Sequence, residues 1–261
     1  MRVALFIPCY VDQLRPRVAF ATLELLRATG ASVRFEPDAL CCGQPFLTAG
    51  EERHGRALGR RLIDLFREDD AIVMPSASCV ATLRRHLERW APGPEARSMA
   101  ERVLELTEFL IDQDTETPAL PFPHRVGLHA SCHGLRELGL GTATETREPP
   151  RRDPAAQLLS RVPGLELVDL TRRDECCGFG GIFAVQEDAV SSRMGLDRLA
   201  DHRGGGAEVL TSTDLSCLLH LEGLAQRRKM PMRLLHVAEI LAESSLEKGW
   251  DHAVRDRGSL S

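Results

Sequence analysis

The chain has 261 residues, 43% hydrophobic and 27% charged, with 33 Lys and Arg against 38 Asp and Glu for a formal net charge of -5. That length suffices for one large or two small domains with full cores. The mild acidic balance gives no case for nucleic-acid binding, which needs a basic excess, and no apolar run is as long as a membrane span.

The chain opens with an apolar stretch, residues 3–8, which reads as a β-strand. It is too short for a signal-peptide core, and Pro8 ends it. The expected location is therefore cytoplasmic, where clustered cysteines mean metal or redox chemistry more often than structural disulfides. Cys9 follows this strand. A helical pattern runs over 17–30 with Gly30 as its C-terminal cap, and a strand at 32–37 leads to Cys41-Cys42-Gly43. Charged helical segments then reach a short buried strand at 71–75, followed by Cys79, and two more helices close the unit with the block 102–110.

After a Pro-rich link at 114–125 the same order returns. A strand at 125–131 precedes Cys132, a strand at 165–170 precedes Cys176-Cys177-Gly178, and a strand at 208–212 precedes Cys217; the block 233–241 then matches 102–110. The polar, Pro-rich segment 141–154 has no counterpart in the first copy and reads as an exposed insertion. The chain thus divides into a first repeat over 1–118, a second over 119–246 and a tail over 247–261. Alternating strands and helices predict an α/β fold in which each repeat is a small parallel sheet flanked by helices, the two related by pseudo-twofold symmetry.

All eight cysteines fall just after strands: Cys9, Cys41, Cys42 and Cys79 in one repeat, Cys132, Cys176, Cys177 and Cys217 in the other. Loops leaving parallel strands share one edge of the sheet, which brings the four thiols of each repeat together. Three uses are open. Disulfides between adjacent cysteines make strained rings. Structural zinc usually draws on C-x2-C knuckles, and none is present. An iron–sulfur cluster has several metal corners, so adjacent cysteines can each reach one, and four thiolates suit a 4Fe-4S cluster. Gly43 and Gly178 would let backbone amides approach the sulfurs and tolerate positive φ.

This doubled pattern resembles the duplicated cysteine-rich CCG domain, found in the heterodisulfide reductase B subunit and the glycolate oxidase iron–sulfur subunit. The likeness is carried by "CCGQP", "PSASC", "SCHGLRELG", "CCGFGGIFAV", "STDLSCL" and "HVAEIL" and spans about residues 2–245. The free-standing lactate-utilisation subgroup, built of the two repeats alone, is the nearer match. The resemblance implies an iron–sulfur electron-transfer subunit, without turnover of its own, in a complex oxidising L-lactate to pyruvate. It implies one 4Fe-4S cluster per repeat held by the eight cysteines, with a ferredoxin-type iron–sulfur subunit and a third subunit as partners. The broader family ends each repeat with C-x-x-C; here the first of those positions is Ser76 or Asp214. That departure favours an ordinary cubane, or an oxygen ligand from Ser76 or Asp214, over a five-cysteine cluster, although Asp214 reads better as a helix N-cap. The alternatives are a catalytic heterodisulfide-reductase-like or glycolate-oxidase-like subunit, and a non-enzymatic zinc or thiol sensor.

Other residues take plainer readings. His129, His133 and His220 lie near cysteines but read as polar residues at the sheet edge rather than as ligands or proton carriers. Glu108 and Glu239 read as helix-surface charge, Ser78, Ser131 and Ser216 as solvated loop serines, and Phe179 and Phe183 as core. "GFGG" lacks the spacing of a dinucleotide fingerprint.

Overall fold

The computed structural model describes residues 1–242 apart from 148 and 150; the tail expected at 247–261 lies outside the described residues. Eight strands make two four-stranded sheets. The first holds β1 (Arg2–Leu5), β2 (Ser32–Phe35), β3 (Ala71–Met74) and β4 (Val103–Glu105) in the order β2-β1-β3-β4. The second holds β5 (Arg125–Leu128), β6 (Glu166–Leu167), β7 (Val209–Ser212) and β8 (Arg233–His236) in the order β6-β5-β7-β8. Every pairing is parallel, so each crossover carries helix and each central strand is covered on both faces. That is why Ala71-Ile72-Val73-Met74 is fully buried without alternation.

The predicted strands are all present, but the closing blocks begin differently from the expectation. Residues 103–105 and 233–236 are edge strands rather than helix, and the closing helices start only at Leu106 and Val237. Short Leu- and Glu-containing runs carry helix propensity, and pairing with β3 and β7 overrides it. The switch to helix is made by a capping box in each repeat. The Glu105 side chain accepts from Thr107 N (2.7 Å), and Glu108 accepts from Glu105 N (3.3 Å). His236 Nδ1 accepts from Ala238 N (3.1 Å), and Glu239 accepts from His236 N (2.9 Å). Glu108 and Glu239 are therefore capping residues, not helix-surface charge; Glu108 also takes a two-pronged ion pair from Arg84.

The two repeats share one interior. Val3 and Leu5 point from β1 into a core that also contains Leu158, Leu221 and Ile240 of the second repeat, whereas Ala4 and Phe6 point into a core whose buried residues all come from the first repeat, with Leu138 of the second packed against it. The closing helices cross over: Val237–Leu241 packs on the helix Pro16–Ala28, and Leu106–Asp112 packs on Pro154–Leu159. At roughly 1.5–3 kcal/mol per buried Leu, Ile or Phe side chain, this shared core joins the repeats firmly. The segment 141–154 is mostly exposed, but it is tied down where Asp174 accepts from Thr144 N (2.6 Å) and Oγ1 (2.8 Å).

Candidate metal centres

In each repeat the four cysteines gather at the carboxyl ends of three strands. Cys9 opens the helix Cys9–Leu14 after β1, Cys41 and Cys42 occupy the loop after β2, and Cys79 is the third residue of the helix Ala77–Trp90 after β3. The chain leaves β1 for one side of the sheet and returns to β3 on the other, so the site lies at a topological switch point, where open parallel sheets bind ligands. The thiols follow one another in space. Cys9 interacts with Cys41 and Cys41 with Cys42, while Cys42 Sγ lies 3.0 Å from Cys79 Sγ. The second repeat repeats the sequence of contacts, Cys132 with Cys176, Cys176 with Cys177 and Cys177 with Cys217. All eight cysteines are free thiols.

The glycine after each pair has the role anticipated for it. Gly43 N–H donates to Cys41 Sγ and Gly178 N–H to Cys176 Sγ, each at 3.3 Å. Their φ values of +90° and +88° lie in the left-handed region, and a side chain would not fit. A Cβ on Gly43 would come 2.9 Å from the Trp90 ring, and one on Gly178 would come 2.6 Å from the Ser191 carbonyl oxygen.

Crowding sets the charge of these sulfurs. Hydrogen bonding to Cys41, then burial, pushes the Cys9 thiol up, and Cys176, then burial, does the same to Cys132. Cys176 accepts from Cys132 and Cys177 and is held well below the ordinary thiol range. Neighbouring thiolates repel, so the set cannot ionise fully without a cation to balance it. Four unbridged, crowded sulfurs are the donor set that zinc or an iron–sulfur cluster takes, and they fit such a group in both repeats.

The surroundings correct several readings. Asp214 begins the helix Leu215–Arg227 but does not cap it; its carboxylate accepts from Ser78 N (2.8 Å) and Ser78 Oγ (2.8 Å), and so caps the cysteine-bearing helix of the other repeat. Ser76 and Ser216 also donate to it, at 3.2 and 3.3 Å. Both oxygen groups considered as ligands are thus engaged in joining the repeats. Ser78 and Ser131 are buried, not solvated, and Ser131 Oγ accepts from Gly134 N (3.1 Å). Phe179 and Phe183 are only half-buried. Phe179 stands between Tyr10 and His220 and, with the four thiols of the second repeat, lines a cavity of about 380 Å3 whose far wall is Tyr10 and Gln44 of the first. His133 also faces it, with Nε2 3.3 Å from Gln44 Nε2 and Nδ1 3.8 Å from Cys132 Sγ. A smaller hollow, about 160 Å3, touches Cys9.

His129 lies just past the end of β5 but is interior, not surface. It is 1% exposed, and burial, then Arg198, lowers its pKa to about 3. One of its ring nitrogens forms a group with Cys177 and Cys217 Sγ in which all three atoms lie within 4.8 Å of one another. Behind it stand His202, whose pKa burial and Arg198 lower to about 2, and Arg198 itself, fully buried and 2.7 Å from Asp201. Neither His202 nor Arg198 was a sequence-level candidate. The available signal was in the matching runs after each repeat begins, where Gly127 replaces Ala4 and His129 replaces Phe6.

Comparison with known proteins agrees with this geometry. The model of the cysteine-rich CCG-domain family matches the chain twice, over residues 3–84 and 126–222. Lactate utilization protein A of Exiguobacterium sp. (strain AT1b) is 37% identical over 249 residues, covering 92% of this chain and 97% of its own. The proteins of the same name from Bacillus subtilis and Geobacillus thermodenitrificans are 32% and 35% identical, again over 92% of this chain and over 99% and 98% of theirs.

Proposed function

The chain belongs to the cysteine-rich CCG-domain family, and from that premise we propose that it is an iron–sulfur protein of lactate utilisation, carrying electrons within a multi-subunit complex that oxidises L-lactate to pyruvate. One observation carries the reading: in both repeats four free thiols converge on a switch point, with a glycine amide aimed at the first sulfur of the pair. Cys9, Cys41, Cys42 and Cys79 would hold one cluster, and Cys132, Cys176, Cys177 and Cys217 the other. A bound 4Fe-4S cluster supplies one-electron transfer. The chain's own groups bury the inner sulfurs Cys42, Cys79, Cys177 and Cys217 and offer N–H donors to Cys41 and Cys176. Among the described residues no helix is long and apolar enough to cross a membrane. In this reading a ferredoxin-type iron–sulfur subunit and a third subunit complete the complex.

Anaerobic purification followed by iron, acid-labile sulfide and visible absorption measurements tests the reading. About eight iron atoms per chain are expected for two cubane clusters. Zinc without sulfide would overturn it and leave a zinc or thiol sensor. The cavity over the second set of thiols favours a second reading, in which the chain acts directly on a small molecule as a catalytic subunit. Turnover of lactate, glycolate or a disulfide by the isolated, cluster-loaded chain would decide for it.

A further inference from the structure

Behind the thiols the repeats part company. Phe6 and His129 occupy the same register position: Phe6 N donates to Val73 O (3.0 Å) and His129 N to Thr211 O (2.7 Å), and Val73 and Thr211 pair with the matching residues Leu5 and Leu128. Phe6 stacks on Phe66 with ring centroids 5.4 Å apart, and His129 meets His202 edge-on at 6.3 Å. One helical turn before each partner stand Leu62 and Arg198. Ala4 becomes Gly127, where a Cβ would lie 2.2 Å from His202 Nδ1. Four buried positions thus change together, from hydrocarbon to nitrogen-bearing groups and the space to hold them.

Stability alone would not select this exchange, because buried polar atoms without partners are unfavourable. Both ring nitrogens of His129 and both of His202 lack a hydrogen-bond partner. One His129 nitrogen is nevertheless grouped with Cys177 and Cys217 Sγ, none of the three more than 4.8 Å from another. That places the ring nitrogen beside the two inner sulfurs, where it can take one protein-ligand position of a metal centre in place of a thiol. The matching position in the first repeat, Phe6, offers no donor at all. We propose that His129 supplies a nitrogen ligand to the metal centre in the second repeat in place of one of its four thiols, so that the chain holds one all-thiolate centre and one mixed thiolate–imidazole centre. His202 and Gly127 position that ring. The proposal rests on the metal-binding reading above.

The experiment uses the full chain, purified anaerobically with and without 15N-histidine and carrying Cys42→Ser to remove the first centre. Pulsed electron paramagnetic resonance of the reduced second centre should show a directly bound 14N coupling that converts to a 15N coupling on labelling. The coupling should vanish in His129→Phe and persist in His133→Phe and His220→Phe, which identify the ring even if His129→Phe does not fold. No histidine coupling on a centre that iron and sulfide analysis shows to be loaded would overturn the assignment, as would a coupling lost with His133 or His220. If the chain carries zinc and no sulfide, the iron–sulfur reading fails separately. X-ray absorption at zinc then tests the ligand: three sulfurs and one nitrogen uphold it, four sulfurs refute it.

Discussion

The first repeat backs its thiols with Phe6, Leu62 and Phe66, and the second backs the same four sulfurs with His129, Arg198 and His202. In front, the second set opens on a cavity between the repeats, while Cys9 of the first borders a smaller hollow. What the two halves hold in common is the frame: strand order, thiol order and the glycine amide on the first sulfur of each pair. What differs is the medium on either side of that frame. Two sites with matching thiols can therefore differ in polarity and access, properties that tune a metal centre.

The sharpest way to break the comparison is to move one group across it. Leu62→Arg places a guanidinium in the buried core of Phe6 and Phe66 without the Asp201 that partners Arg198, and it should cost about 4 kcal/mol or more in urea unfolding. A chain of unchanged stability would show that the two interiors are interchangeable.

Next come the capping residues of the closing helices, which should respond to pH in opposite directions. Burial raises Glu105 from 4.5 to about 8, so it stays protonated in the fold while the unfolded chain ionises. Stability on its account is complete below about pH 4.5 and falls as pH rises towards 8. Burial lowers His236 from 6.5 to about 4, so its share is complete above pH 6.5 and falls as pH drops towards 4. Urea midpoints between pH 4 and 9 should lose the first slope in Glu105→Gln and the second in His236→Asn.

Smaller effects sharpen the likeness of the frames. Gly43→Ala should cost about 2 kcal/mol through its left-handed φ and the Trp90 contact; Gly178→Ala should cost more, because it meets backbone rather than a side chain. Equal values would mean that the Ser191 carbonyl yields. Asp214→Ala should cost about 1–2 kcal/mol by leaving Ser78 N–H uncapped. An unchanged denaturation midpoint would show that the contact between repeats is incidental to stability.

The thiol frame was legible in the sequence because it is local to strand ends: each cysteine follows a short apolar run, and the blocks recur in order. β4 and β8 were not legible, since three or four residues of Val, Leu, Glu and His carry no period of their own and become strands only by pairing with β3 and β7. Asp214 was recognisable as a cap, but that it caps a helix 136 residues away depends on how the repeats dock. Arg198 and His202 sit in the helix Asp188–Gly204 among Arg193, Asp197, Asp201 and Arg203, so they resemble a solvated face. Only the packing against His129, some 70 residues earlier, reveals them as interior. Substitutions between the repeats at buried positions, Ala4 to Gly127 and Phe6 to His129, were the trace of it in the sequence.

The crossing of the closing helices has a consequence for how such a protein can be built. Each half supplies the lid for its sibling, so a gene fragment encoding one half would yield a sheet with a bare greasy flank. Nicking the proline-rich joint after folding should leave two pieces clasped together, and making them separately should yield pieces that pair or precipitate. The heritable, foldable unit is the couple, so the two thiol sites are made and lost together.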